Sequence, residues 1–420
     1  MRLRVENLGP IREAVVDLDA PFTVFTGPNN TGKTWLASAI YAAMMPQRWG
    51  LTHDPGFDAW CRELLDGVTR ERGVALLDEV RAYALHLLRR KLPRLLLTQD
   101  RDDLVVTLED APAGDLVSEL STSGLRSNWD LETARGVKLT LKRPVPSQLS
   151  IVRQALVWAA LGPATRLSHF LPAERAAITL FARELSAHRS ALVDDALDAA
   201  DPAALLRERA VRYPLVVRNA LDNANQLDGW RHTVSPLADL AAQLERDVVG
   251  GVIRLDEQGE LHFGAGGFEV PIHASASVVK SLASLVFYLR HQAQPGQLLI
   301  IDEPELNLHP DNHRRVARVL AKAVNRGLRV IISTHSDYIV RELSNLVVLG
   351  AAGARADAVV RELGHDREWL LRPEQINVLL FRGGGVERVP VSDAGFEVQT
   401  IEDEIRRLDG ETQRILLGVE

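Results

Sequence analysis

An α/β fold organised on a buried parallel sheet is what this sequence predicts, and three observations predict it. Phe22-Thr-Val-Phe-Thr26 is a short β-rich run that leads into Gly27-Pro-Asn-Asn-Thr-Gly-Lys-Thr34, and a helical pattern follows from Trp35 to Met44. Leu298-Leu-Ile-Ile-Asp302 is a continuous apolar run closed by an acid, and Arg329-Val-Ile-Ile-Ser333 is a second such run. Apolar runs without alternation are strands covered on both faces, as in a parallel sheet. Strand, glycine-bearing loop and helix, in that order, is the context in which Gly, four residues, Gly-Lys-Thr becomes a phosphate-binding loop.

Taken from the N-terminus, Leu3 and Val5, then Val15, Val16 and Leu18, alternate with polar residues around the turn signal Leu8-Gly9-Pro10, which predicts a strand pair. From His53 to about Lys91 the spacing is helical, with Phe57, Trp60, Cys61, Leu64 and Leu65 on one face and Val80, Ala84, Leu87 and Leu88 on another. The basic cluster Arg89, Arg90, Lys91 and Arg94 suits a solvated helix end better than a nucleic-acid patch. Leu104–Leu108 and Val137–Leu141 have strand character, separated by a stretch rich in Gly, Ser, Thr and Asp that predicts a loop. Helix is expected over 148–161 and a strand over 166–171, running into Pro172-Ala-Glu-Arg175. Residues 174–248 read as mostly helical, with Asn219, Asn223 and Asn225 as caps and surface polars. Short strands follow at 252–255, 261–263 and 268–272, then an amphipathic helix on Val278, Leu282, Leu285, Val286 and Leu289. Beyond the run ending at Asp302, a helix carries Val316, Val319, Leu320 and Val324 and stops at Gly327; Asn345–Leu349 is expected to be a third buried strand. The last 70 residues predict mixed strand and turn, then a charged helix over about 401–417.

Composition excludes several classes. With 420 residues, 46% hydrophobic and 25% charged, the chain has ordinary globular composition and ample material for a core. A net charge of −7 argues against a strongly basic nucleic-acid-binding protein, although a local basic groove stays open. The single cysteine, Cys61, rules out an internal disulfide and a Cys-rich metal site. The N-terminal segment lacks an apolar targeting core and no run approaches the ~18 apolar residues of a membrane span, so the expectation is a cytoplasmic protein with no membrane contact.

The chemistry lies in four segments. Gly27 and Gly32 let the backbone of Gly27, Pro28, Asn29, Asn30, Thr31 and Gly32 turn its N–H groups inward onto phosphate oxygens, and the helix starting at Lys33 adds its positive dipole end. Lys33 is expected to reach the β- and γ-phosphates, and the Thr34 hydroxyl to ligate Mg²⁺. Asp302, closing a buried strand, is the expected metal-side carboxylate. Glu303, one residue on, can orient and deprotonate the attacking water. In Thr334-His335-Ser336, His335 sits at the carboxyl edge of a central strand, where ligands bind in doubly wound sheets, and is expected to contact the γ-phosphate. Ser275-Ala-Ser277, followed by Lys280, is a serine-rich loop opening a helix and suits an anion arriving from outside.

In this order, these motifs, with Leu-Leu-Ile-Ile-Asp-Glu-Pro-Glu-Leu-Asn-Leu-His-Pro between 298 and 310, resemble those of the ATP-binding-cassette ATPases. The resemblance is closest to the soluble, AAA-family branch: the overcoming-lysogenisation-defect (OLD) type, the RecF type and the chromosome-maintenance ATPases. It implies an ABC-type P-loop NTPase head formed by residues 1–45 and 165–350, a mostly helical insertion at 46–164, and a C-terminal extension at 351–420. It implies ATP and Mg²⁺ as cofactors, hydrolysis of ATP, and a homodimer or higher homo-oligomer. In it, each site is completed by the Ser275, Ser277 and Lys280 segment of the other copy. That segment departs from the family's Ser-Gly-Gly form, having no glycine. Pro172-Ala-Glu-Arg175 resembles a recurring element of the OLD-like branch and places Glu174 or Arg175 where other cassettes have a metal-sensing glutamine; His309 is expected at the subunit contact. Asp357, Glu362, Asp366, Glu368 and Asp393 lack a paired-carboxylate spacing, so no nuclease of the topoisomerase–primase type is expected in the chain. By analogy the ATPase would control a separately encoded effector, such as a nuclease, in bacterial antiviral defence or a DNA transaction. A nucleotide-gated scaffold with little hydrolysis and a DNA-end-binding repair ATPase are the alternatives, and DNA binding is left open.

Overall fold

The computed structural model describes residues 1–46, 51, 54–66, 70–98, 102–109, 129–132, 138–141, 153, 156–157, 160 and 168–419. In chain order, strands β1 (Arg2–Leu8), β2 (Ile11–Asp17) and β3 (Phe22–Thr26) lead to helix α1 (Lys33–Met44). Helices α2 (Pro55–Asp66) and α3 (Arg70–Leu95) precede β4 (Val105–Glu109), β5 (Trp129–Glu132), β6 (Lys138–Leu141) and β7 (Ser168–Leu171). Then come α4 (Arg175–Asp198), α5 (Pro202–Arg209), α6 (Leu215–Asn225), α7 (Ala238–Leu244) and strands β8 (Val252–Leu255), β9 (Leu261–Ala265) and β10 (Phe268–Pro271). The chain continues through α8 (Ser277–His291), β11 (Leu298–Asp302), α9 (Pro310–Asn325), β12 (Arg329–Ser333), α10 (Asp337–Ala352) and α11 (Asp357–Glu362) to β13 (Ile376–Arg382), β14 (Gly385–Val389) and α12 (Gln399–Val419). These elements form two compact units: Met1–Asp19 with Trp35–His169, and Ala20–Thr34 with Phe170–Glu420.

In the first unit β1 pairs antiparallel with β2 on one side and β4 on the other, with Leu3 opposite Val16 and Leu108. Leu3 and Val5 alternate inward, as a strand period of two requires, and Leu8 is buried one residue out of that phase, after Asn7 turns through a left-handed conformation (φ 58°). β5 and β6 form a separate antiparallel pair, where sequence predicted the second strand and a loop before it. Six residues before the end of α3 the Arg89 guanidinium donates to the Asp102 carbonyl, in the loop beyond the helix. The helix expected over 148–161 falls mostly outside the described residues; Arg153, Leu156, Val157 and Ala160 are helical.

The second unit is built on strands in the order β14-β13-β3-β12-β11-β7. β13, β3, β12 and β11 run parallel, so their carboxyl ends share one edge. The register matters: Asp302 lies opposite Ser333, and Ser333 lies opposite Phe25, one residue before the end of β3. Every residue of β3 and β11 is buried, which explains their unbroken apolar runs. α8 inserts Leu282, Leu285, Val286 and Leu289 into this core, and α9 adds Val316, Val319, Leu320 and Val324.

The expected third strand at Asn345–Leu349 is instead part of α10. Ser336 caps that helix, its Oγ accepting from the Ile339 amide, and Ile339, Val340, Leu343, Leu346 and Val347 turn inward at helical spacing. The sheet position is filled by β13, whose first six residues are buried between β3 and β14. By length and composition Asp337–Glu362 is apolar enough to cross a membrane, but Gly353, at φ 56°, interrupts it and its inner face belongs to the core.

Candidate functional site

Between β3 and α1 the chain makes three left-handed turns, at Gly27 (φ 129°), Asn30 (φ 60°) and Gly32 (φ 104°). Gly27 is obligatory: a Cβ there would stand 2.4 Å from the Phe381 carbonyl oxygen of β13. The Thr31 hydroxyl donates to the Pro28 carbonyl at 2.8 Å and closes the loop. Lys33 is 5% exposed, and its Nζ donates to the carbonyls of Gly27 (2.9 Å) and Pro28 (2.7 Å). Its ammonium therefore lies across the concave side of the loop. Burial pushes it down to about 8, against the pull of Asp302, Glu303 and Glu305.

Asp302 closes β11 with both carboxylate oxygens engaged. Thr34 Oγ1 donates to one at 2.8 Å and Ser333 Oγ to the other. A hydroxyl and a carboxylate side by side at a phosphate loop make an all-oxygen donor set that fits Mg²⁺, which takes few protein ligands. Among the described residues no cluster of three or more His, Cys, Asp or Glu offers another metal site.

Glu303 leaves the strand in a left-handed conformation (φ 49°), with its amide donating to the Ser333 carbonyl at 3.0 Å. Its half-buried carboxyl is raised above the usual range by burial first, then by Asp302 and Glu305, with Lys33 and Arg175 opposing. His335 Nε2 stands 3.9 Å from Glu303 Oε1. Burial and Lys33 hold that imidazole below its ordinary value, so at neutral pH it is uncharged and can donate or accept without forming an ion pair. Lys33, Thr34, Asp302, Glu303 and His335 thus meet at the carboxyl edge of the parallel strands.

The segment Ser275–Lys280 is placed differently. Ser275 Oγ donates to Ile272 O at 2.6 Å and Lys280 Nζ to His273 O at 3.2 Å, while Ser277 is exposed at the start of α8. Ala276 occupies the N-cap, which has no side-chain bond, so the first amides of α8 lack the usual hydroxyl or carboxylate partner. Among the described residues no hydrogen bond or ion pair joins Ser275, Ser277 or Lys280 to the phosphate loop, Asp302, Glu303 or His335. His309 is the N-cap of α9, accepting from the Asp311 amide.

Residues 224–340, which contain α8, β11, α9 and β12, match the AAA ATPase domain family. Over that segment the chain is similar to AAA-type ATPases. No curated protein matches the chain. Solved structures similar to it include an SMC head domain from Thermotoga maritima (12% identity, 93% of this chain and 98% of that one, TM-score 0.36). A second is a Pyrococcus furiosus Smc head domain with an extended coiled coil, bound to the C-terminal domain of ScpA (13% identity, 96% and 98%, TM-score 0.35). A third is an SmcHead bound to the C-winged helix domain of ScpA (13% identity, 92% and 96%, TM-score 0.39). Likeness at that level decides nothing about partners or DNA.

Two residues of the ATPase site exceed what sequence reasoning assigned. Glu305 Oε1 accepts from the Thr334 hydroxyl (2.8 Å) and from the His335 amide (2.7 Å), while its buried Oε2 has no hydrogen-bond partner. It fixes the backbone that carries His335, and its place two residues after Glu303 was the available signal. Arg175 is 3% exposed and gives its guanidinium to main-chain carbonyls: Nε to Ser281 (2.9 Å), Nη1 to Asp302 (2.8 Å) and Pro172 (3.2 Å), Nη2 to Glu303 (2.8 Å). Glu174, its neighbour in the Pro-Ala-Glu-Arg element, is exposed. The site therefore brings together a glycine-bearing loop at a helix start, a hydroxyl–carboxylate pair whose oxygens fit Mg²⁺, and a carboxylate with raised pKa beside an uncharged imidazole.

Proposed function

We propose that the chain is an ATP-driven switch in which two copies close around ATP, hydrolyse it and separate, thereby controlling a partner effector. The head is assigned to residues 1–45 and 165–350, with 46–164 inserted and 351–420 extending it. The observation that carries the reading is the convergence of Lys33, Thr34, Asp302, Glu303 and His335 at one sheet edge, while the uncapped α8 N-terminus has no bond to them. A complete phosphate cradle and an anion site not bonded to it within one chain suit a nucleotide sandwiched between two copies.

In this assignment the backbone of Gly27, Pro28, Asn29, Asn30, Thr31 and Gly32 surrounds the phosphates, and Lys33 turns from its own loop carbonyls to the β- and γ-phosphates. Thr34 and Asp302 hold Mg²⁺, which when bound neutralises phosphate charge. Glu303, with its raised pKa, takes the proton of the attacking water, and His335 contacts the γ-phosphate from the end of β12. Ser275, Ser277 and Lys280 of the second copy meet the γ-phosphate at the start of α8. The resemblance to the OLD-like branch suggests a cytoplasmic role in bacterial antiviral defence or a DNA transaction, with a separately encoded effector such as a nuclease.

The test is molar mass by light scattering for wild type and Glu303→Gln, each with and without ATP and Mg²⁺, alongside turnover. Trapping of Glu303→Gln as an ATP-dependent dimer, with turnover reduced ~10²-fold or more, is the expected result. Equal slow turnover and unchanged mass in both proteins would sink the switch. A second reading, a nucleotide-gated scaffold with little hydrolysis, is favoured by the glycine-free Ser275-Ala-Ser277 turn. It predicts that wild type itself stays dimeric with ATP.

A further inference from the structure

Arg175 makes contacts that the Pro-Ala-Glu-Arg resemblance did not assign to it. It opens α4 directly after β7, is almost wholly buried, and spends its donors on backbone oxygens from three separate places: the Pro172 turn, the second turn of α8, and the two residues Asp302 and Glu303. A buried guanidinium costs solvation, and burial pulls it down to about 10 although Glu305, Asp302, Glu303 and Glu174 all favour its charge. Packing of a helix start alone does not require that cost; an apolar side chain would serve.

What the contacts do is local and specific. The Glu303 peptide is held from both sides, its N–H by the Ser333 carbonyl and its C=O by Arg175. Glu303 sits at φ 49°, a conformation that an L-residue keeps only when its surroundings hold it there. The same guanidinium holds Ser281 O on α8, four residues after the exposed Ser277. A second strut runs parallel to it: Asn307 Nδ2 donates to Ser281 Oγ at 2.9 Å, and Asn307 also has a left-handed backbone (φ 64°). Any shift of α8 therefore reaches the Glu303 peptide through one rigid planar side chain.

We propose that Arg175 is a positioning residue that ties the start of α8 to the Glu303 turn, so that whatever docks at the α8 N-terminus sets the direction of the Glu303 carboxylate. This rests on the reading of Glu303 as the base and of the α8 start as the docking point of a second copy. A lysine cannot reproduce the link, because a single ammonium lacks the flat fork that reaches Ser281, Asp302 and Glu303 together.

The experiment is a double-mutant cycle in single-turnover ATP hydrolysis, using Arg175→Lys, Glu303→Gln and the double variant, with nucleotide affinity measured in parallel. Arg175→Lys should slow hydrolysis by ~10²-fold, the scale set by misplacing a catalytic group by about 1 Å, while nucleotide affinity changes less than about threefold. On the Glu303→Gln background the same substitution should have no further effect on rate, which a general loosening of the fold would not reproduce. Additive losses in the double variant, or a matching loss of affinity, would overturn the inference. If Glu303→Gln itself turns over like wild type, the assignment of the base fails instead, and the two failures are distinct. Should Arg175→Lys not fold, Asn307→Ala tests the parallel strut without exposing a buried charge. A smaller slowing that vanishes beside Glu303→Gln supports the link, and no slowing overturns it.

Discussion

Lys33 shows how the site stores its response to nucleotide. In the folded chain its ammonium rests on two loop carbonyls, and burial brings its pKa from 10.5 to about 8. The folded group is depressed and the unfolded chain keeps its proton to higher pH, so stability from this residue rises as pH climbs from 8 towards 10.5. Phosphate bound at Lys33, as proposed, would reverse the balance by favouring the charged ammonium. Below pH 8 Lys33 is already protonated and binding takes up no proton. Above pH 8 binding must restore one, so affinity should fall by up to about tenfold per pH unit. Titration with a fluorescent ATP analogue between pH 7 and 9.5 measures this. Lys33→Met should bind more weakly and without that slope; an unchanged slope in the variant would assign the titration elsewhere. Glu303 runs the other way: its carboxyl is raised, so turnover should be lost on acidification at a pH above the ordinary 4.5.

At the scale of elements, the phosphate loop, β11 and β12 were legible because each combines a short apolar strand with a polar terminus, and parallel burial leaves that signature unmixed. Asn345–Leu349 misled for the same reason. Asn-Leu-Val-Val-Leu has strand composition, but the start signal Ser336-Asp337 lies nine residues upstream and the residue that pins the helix is Glu342. Its side chain is 1% exposed and pairs with Arg314 at 2.7 Å and Arg318 at 2.5 Å, both on α9. Sequence periodicity shows a charge on a helix; it does not show that the charge is turned inward to meet two arginines from elsewhere. The central place of β13 was hidden likewise, because strand order depends on long-range pairing. Glu305 and Arg175 were half visible, as an extra acid after Glu303 and an arginine after a strand, but their partners are backbone groups that no motif spells out. Removing one partner of a buried pair strands the other. Glu342→Leu should therefore destabilise by about 1–3 kcal/mol, less than a fully buried pair because Arg314 is half exposed. Urea denaturation gives the value, and a change below about 0.5 kcal/mol would mean that packing, not the ion pair, holds α10 on α9.

For the whole molecule, the proposed sandwich makes a demand that no single chain can meet. Closed two-fold pairing is the common symmetry of homo-oligomers, and it puts the Glu303 of one copy opposite the α8 start of the other, twice. Each site then mixes residues from both chains, so two defects in different chains can be segregated. Ser277→Glu places a carboxylate on the first residue of α8, where the helix dipole favours it but an arriving phosphate is repelled. That variant should fold normally and hydrolyse little ATP, as should Glu303→Gln for a different reason. In a mixed dimer both defects fall in one site, and the other site has an intact Glu303 and an intact α8 start. Random pairing at equal concentration makes half of the dimers mixed, each with one working site, so mixing two inactive proteins should restore about a quarter of wild-type turnover. Activity in the mixture that merely averages the two variants would show that each chain completes its own site. The uncapped amides of α8 would then need an occupant other than the γ-phosphate of a second copy.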